Sequence, residues 1–117
     1  MSLKIKRIYD DPGKEDGYRM LVDRLWPRGI KKTEAHLDEW NKEIAPSSNL
    51  RKKFHAKGMT FGEFSKDYRR ELANQEENLD RIRSLAKRNQ VTLLYGSKDD
   101  ENNHAMVLQK ILAPAKK

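Results

Sequence analysis

The 117-residue chain contains no cysteine. That removes a disulfide framework, a cysteine-bound zinc and any thiol nucleophile, and it fits a reducing compartment. Long apolar runs are missing too. No stretch approaches the roughly 18 apolar residues of a membrane-spanning helix. The opening Met1-Ser2-Leu3-Lys4-Ile5-Lys6-Arg7 is too short and too charged for a signal peptide, so a cytoplasmic protein without a membrane partner is the default expectation. A glycine-rich phosphate loop is absent, because Tyr95-Gly96-Ser97-Lys98 has the spacing of neither a nucleoside-triphosphate loop nor a dinucleotide fingerprint. The three histidines, His36, His55 and His104, lack the paired spacing of zinc ligands. A carboxylate-held Mg²⁺ at Asp23 or Asp99 has no pattern behind it either. No metal is expected, and nothing in the sequence names a cofactor.

What remains is a strongly ionic chain. Charged residues make up 37% and hydrophobic ones 36%, with 25 Lys and Arg against 18 Asp and Glu for a net charge of +7. A chain of this length is one domain, residues 1–117, with a single core of ordinary size. The basic excess favours anionic partners: phosphates, nucleic acid or acidic proteins. Because the cations are spread along the chain, solvated helix faces explain them equally well.

Apolar patterning supplies the order of elements. Leu3, Ile5, Ile8 and Tyr9 mark a first strand over 3–9, and Tyr18 to Arg24 a second after the turn-rich segment 10–17. Thr33 is placed to cap a short helical turn containing Glu34, Ala35 and His36. Residues 37–44 fit either period, and the Ala45-Pro46-Ser47-Ser48 turn after them favours a third strand. Ser47 or Ser48 then caps a helix over about 49–55. Thr60 and Glu63 form a capping-box pattern ahead of the Phe61, Phe64, Tyr68, Leu72 stripe. A break near Asn74 separates that helix from one carrying Leu79, Ile82 and Leu85, acidic at its start and basic at its end. Val91 to Tyr95 reads as a fourth strand. A last helix over about 102–112 buries Ala105, Leu108, Ile111 and Leu112, and Pro114 ends it. Compact apolar strands separated by helices predict an α/β fold, a single three-layer domain with a small, mainly parallel sheet of about four strands.

In such sheets ligands bind in the loops leaving the carboxyl ends of the strands. Two charged turns occupy those places. In Asp23-Arg24-Leu25-Trp26-Pro27-Arg28-Gly29, Pro27 restricts Trp26 and Gly29 permits an unusual backbone conformation, so Arg28 is stiffly mounted. Arg24 supplies a second guanidinium, suited in pairs to phosphate or carboxylate oxygens, and Asp23 a carboxylate able to orient either. The functional reading is an anion clamp walled by Trp26 and Tyr95. The structural reading is an internal Asp23–arginine salt bridge with Trp26 filling the core edge. In Lys98-Asp99-Asp100-Glu101-Asn102-Asn103-His104, Asp99 or Asp100 is placed to cap the last helix. His104 falls in its first turn, where a neutral imidazole can give or take a proton. Ser97 beside His104 is a weaker nucleophile candidate.

These residues add up to a site hypothesis. His104 with Asp23 or Lys98 would move protons, while Arg24, Trp26, Arg28, Tyr95, Asp99 and Asn103 would bind a ligand. The basic stretch Arg51-Lys52-Lys53-Phe54-His55-Ala56-Lys57 supports an alternative, a non-catalytic nucleic-acid-binding module in which Phe54 or His55 stacks on bases.

Several segments together resemble a known group. Leu21-Val22-Asp23-Arg24-Leu25-Trp26-Pro27-Arg28-Gly29, Ala45-Pro46-Ser47, Tyr68-Arg69-Arg70-Glu71-Leu72, Val91 to Tyr95, and Lys98-Asp99 with Asn103-His104-Ala105 resemble the YeaO-like family of small bacterial and archaeal proteins. That family lies within a larger set of domains of unknown function. The resemblance implies a compact, mainly parallel α/β domain and no established activity. Related branches carry Cys-His-Arg where this chain has Asn103-His104-Ala105, so chemistry through that thiol does not carry over. Roles for His104, Lys98, Asp23 and Arg24 do, as expectations. Whether the chain is an enzyme stays open at this level.

Overall fold

A computed structural model describes residues 2–56 and 58–113. Four strands, β1 (Ser2–Arg7), β2 (Tyr18–Leu21), β3 (Glu39–Trp40) and β4 (Gln90–Tyr95), form one all-parallel sheet in the order β1-β4-β2-β3. Five α-helices accompany them: α1 (Lys32–Ala35), α2 (Ser48–His55), α3 (Phe61–Leu72), α4 (Glu76–Arg88) and α5 (His104–Leu112). The expected α/β class and its parallel sheet are present.

Side-chain alternation divides the sheet into two unlike faces. Met20, Val91, Leu93 and Tyr95 point into the main core, where they meet Phe64, Tyr68 and Leu72 of α3, Leu79 and Ile82 of α4, and Leu108 and Leu112 of α5. The Phe61 stripe is therefore core, as its helical spacing requires. On the opposite face Leu21 and Leu94 join Ile8 and Ala35 in a smaller cluster flanked by Trp26, Ile30, Leu37 and Trp40. That third layer is thin, a one-turn helix and loops.

The smaller face also holds a buried charge. Asp16 is fully buried beside Arg19, and its carboxylate faces Lys4 at 3.2 Å and Lys6 at 3.1 Å, with Arg19 paired directly to it. The Gly13 amide donates to the same carboxylate, and Thr92 donates to the Asp16 carbonyl. Arg19 in turn caps α1 from its carboxyl end, donating to the carbonyls of Ala35 and His36. His36 closes that helix in the left-handed region at φ 50°. Burial alone would raise the Asp16 pKa. The Gly13 amide and the Lys6, Lys4 and Arg19 side chains overcome it and hold the carboxyl well below its ordinary value of 3.8.

Helix caps follow local chemistry, with some changes from expectation. Ser47 caps α2, accepting from the Leu50 amide, and Thr60 with Glu63 forms the reciprocal box at α3. The break near Asn74 is a 3₁₀ turn over Ala73–Gln75. Thr33 lies inside α1, whose cap is Lys31. The strand over 37–44 shrinks to Glu39–Trp40, and Lys42–Ile44 is a 3₁₀ turn. Asn41, whose backbone amide still donates to Leu21 O, exchanges side-chain amide hydrogen bonds with Asn78 of α4 at 2.8 and 3.0 Å, just before the 3₁₀ turn. The second strand ends at Leu21, with one further ladder bond from the Val22 amide to Leu94. The last helix begins at His104 with Asn103 as its cap, so neither Asp99 nor Asp100 performs that role. Pro114 and Lys57 lie outside the described residues. Among the described residues no helix is long and apolar enough to cross a membrane.

Candidate functional site

The chain leaves the carboxyl ends of β2 and β4 in opposite directions. From β2 it runs to α1 on the thin face, and from β4 to α5 on the thick one. Since β2 and β4 are neighbours, their loops part and leave a crevice between them, the topological switch point of a parallel sheet. A cavity of about 330 Å³ occupies it.

The two charged turns both reach this rim. Asp23 through Arg28 line one side, and Gly96, Ser97, Asn102, Asn103 and His104 the other. The 45–48 turn, α2 and α3 close the remainder with Pro46, Arg51, Phe54, His55 and Phe64. Tyr9, just past β1, completes the wall.

Asp23 is anchored at three points. Its backbone carbonyl accepts from the Trp40 indole at 2.7 Å, its Oδ2 accepts from the Gly96 amide at 2.8 Å, and its Oδ1 lies 2.9 Å from His104 Nε2. A Cβ at position 96 would sit 2.9 Å from Asp23 Oδ2, so any larger residue there would displace that carboxylate. Asp23 therefore lies against His104 rather than an arginine, so the internal Asp23–arginine salt bridge of the structural reading is not formed. His104 Nε2 is also 3.0 Å from the Val22 carbonyl. Two oxygen acceptors around one ring nitrogen require a proton on it, so Nε2 carries hydrogen, and whenever the ring is neutral the lone pair falls on Nδ1. Oδ1 of Asp23 is buried and accepts no well-aligned hydrogen bond, because that proton is aimed at Val22.

The arginines divide by commitment. Arg24 Nε donates to Pro46 O at 3.0 Å and its Nη2 to Ala45 O at 3.1 Å. The same turn is held from the other side by Tyr68, whose hydroxyl donates to Ile44 O, and by Glu71, which accepts from the Ser47 amide and hydroxyl. Arg24 thus fixes the back wall of the cavity. The side chains of Arg28 and Arg51 have no hydrogen-bond or acidic partner among the described residues. Arg28 is exposed beside Gly29, whose φ of 82° is open chiefly to glycine, and Arg51 is half-buried on α2.

The other expected residues are placed as follows. Trp26 lines the cavity, donates to Ile30 O at 2.7 Å and meets Trp40 edge-on at 5.2 Å. Asn103 lines the cavity and caps α5 through the Met106 amide. Tyr95 is buried in the main core, and Lys98 is exposed outside the lining. Asp99 is also exposed and accepts from the Glu101 and Asn102 amides of its own turn, which lower its pKa. Sequence reading did not assign Tyr9, Arg51 or Phe54 to this site. Arg51, Phe54 and His55 share one helix face by their i, i+3 and i+4 spacing, a signal present in the sequence but not tied to the β2 turn. Among the described residues no group of three or more His, Asp or Glu side chains is arranged to hold a metal ion.

Comparison with known proteins supports one family. The chain is 51% identical over 108 residues to the uncharacterized protein YeaO of Escherichia coli K12, covering 92% of this chain and 94% of that one. It is 36% identical over 110 residues to the uncharacterized protein Rv3073c of Mycobacterium tuberculosis H37Rv, covering 94% and 92%. No solved structure matches. A family profile described as "Inactive DUF488-N3 subclade" matches residues 2–117. The chain belongs to this YeaO-like family, the DUF488-N3i group.

Proposed function

We propose that this is a cytoplasmic protein whose crevice binds a phosphate-bearing or other anionic small molecule at the carboxyl ends of its strands. One observation carries the reading. The cavity is lined by Arg24, Arg28 and Arg51 against a single carboxylate, Asp23, already engaged by the Gly96 amide and His104. Arg28 and Arg51 both line the cavity and have no internal anion among the described residues, which suits them to clamp an anionic group. Its volume is at the lower end of the range for small-molecule sites, about 300 Å³ upward.

Binding without turnover is the form best supported. The family description contains the word inactive. No thiol lines the cavity, and the one serine hydroxyl, on Ser97, accepts from the Asp99 amide. If turnover does accompany binding, His104 handles the proton: the Val22 carbonyl accepts its Nε2–H with Asp23 beside it, and Nδ1 is the base. Lys98 stands apart from this pair.

Titration with inorganic phosphate and with small phosphorylated compounds, followed by calorimetry, tests the reading. Saturable binding is expected, and Arg28→Ala should abolish it while leaving the thermal transition in place. An absence of anion binding at millimolar concentrations overturns it, as does undiminished binding by the variant.

A second reading, nucleic-acid binding, draws on Lys52 and Lys53, which are exposed on α2 beside Arg51 and His55. It predicts oligonucleotide affinity that falls steeply with salt. No binding at low salt eliminates it.

A further inference from the structure

The crevice has a second property besides its charge. Among the described residues the exposed large apolar side chains are Tyr9, at 41%, and Leu25, at 60%, and both line this one cavity. Isolated exposed apolar residues are ordinary, but two lining the same charged cavity offer it an apolar surface.

Tyr9 is also held as a fixed plane. Its hydroxyl donates to the Arg28 carbonyl at 2.8 Å, which ties the ring's outer end to the cation-bearing turn. The Arg7 guanidinium sits 5.0 Å from the ring centroid. Arg7 is itself tethered, its Nε donating to Ser97 O at 2.9 Å. Arg7 does not line the cavity and Tyr9 does, so the cation occupies one face of a ring that is 41% exposed. A ring backed by a cation and pinned at its hydroxyl loses little freedom when another ring stacks on it.

We propose that the ligand of this crevice carries a planar aromatic or heteroaromatic ring as well as its anionic group, as an aryl phosphate or a nucleoside monophosphate does. The ring stacks on Tyr9 with Leu25 at its edge, and the anion lies between Arg28 and Arg51. This assignment rests on the anion-binding reading and adds the apolar half of the molecule. The hydrogen bond from Tyr9 to the Arg28 carbonyl couples the two halves, because the residue that supplies the stacking plane also braces the turn that supplies the cation.

The test compares three probes by calorimetry on the full chain: phenyl phosphate, adenosine monophosphate and glycerol phosphate, with inorganic phosphate as the reference anion. Both ring-bearing probes are expected to bind about tenfold more tightly than glycerol phosphate, the scale of one stacking contact. Tyr9→Leu should erase that preference and bring all organic phosphates to the glycerol phosphate affinity. Tyr9→Phe keeps the ring and should keep most of it. Both variants alter an exposed side chain, and an unchanged thermal transition verifies that they fold. Equal affinities for phenyl and glycerol phosphate overturn the inference but leave the anion-binding reading intact, whereas failure of all four probes removes both. Affinity that keeps rising from mononucleotide to longer single strands also overturns it, in favour of a nucleic-acid surface.

Discussion

Two regions of this molecule concentrate cations around a carboxylate, and they differ in whether the charges are already satisfied. Around Asp16, on the thin face of the sheet, Lys4, Lys6 and Arg19 converge on a fully buried carboxylate. Arg19 spends its remaining donors on the carbonyls of Ala35 and His36. At the crevice, Asp23 takes a backbone amide and an imidazole, Arg24 takes two carbonyls, and Arg28 and Arg51 are left over. The first region is structure, because its charges are answered from within the chain. The second leaves two arginines with no hydrogen-bond or acidic partner among the described residues.

Breaking Asp16 should produce the largest effect. Asp16→Ala leaves Arg19 and Lys6 partly buried without their anion, and loss of one partner from a buried ion pair costs about 3–5 kcal/mol. Urea denaturation should show that loss, and any protein still folded should bind phosphate as before. The same carboxylate sets an acid sensitivity. Its folded pKa lies below the ordinary 3.8, so its contribution is complete above that value and is lost as pH falls toward the folded one. Acid unfolding of the wild type should therefore steepen below about pH 4, and the Asp16 variant should lack that component.

Arg24→Ala should come next. It removes hydrogen bonds to two carbonyls of the 45–46 turn, at about 1–3 kcal/mol by chemical denaturation. Anion affinity should drop with it, because the wall carrying Pro46 loosens. Equal stability of this variant and wild type would erase the distinction drawn between Arg24 and the two free arginines.

The double change Arg28→Ala with Arg51→Ala should be the mirror image of Asp16→Ala. Stability should move by no more than about 0.5 kcal/mol, as for most surface positions, while phosphate binding disappears. Nitrogen-detected NMR of the imidazoles sharpens the comparison without any loss of fold. His104 should carry its hydrogen on Nε2 in the neutral ring, and Asp23→Asn should weaken that preference. Asn103→Ala, which removes the cap of α5, should cost about 1 kcal/mol by urea denaturation, less than either Asp16→Ala or Arg24→Ala.

Most of the fold could be read locally. The Thr60–Glu63 box, the aromatic stripe after it and the Val91 to Tyr95 run behave as their spacing requires, since each signal spans few residues and needs no partner to be recognised. Where reading and structure part, a distant contact has intervened. Residues 42–44 form a 3₁₀ turn rather than a strand, next to the side-chain contact that Asn41 makes with Asn78, 37 residues further on. Asp99 yields the cap of α5 to Asn103 because its own carboxylate closes a tighter turn upstream. The crevice was half legible. Both charged turns follow strands and so had to reach one end of a parallel sheet, but α2 approaches from elsewhere and brings Arg51 and Phe54 with it.

By itself the sequence determined the class of fold, the parallel sense of the strands and the placing of two charged turns at one rim. These follow from apolar periodicity, and periodicity is a property of neighbouring residues. Only the tertiary structure decided which charges are consumed. Whether a guanidinium is free depends on carbonyls and carboxylates about 3 Å away in space, and Arg24 meets its partners 21 and 22 residues along the chain. Arg24 and Arg28 sit in the same seven-residue turn with the same chemistry, and packing alone made one a strut and left the other without a partner among the described residues.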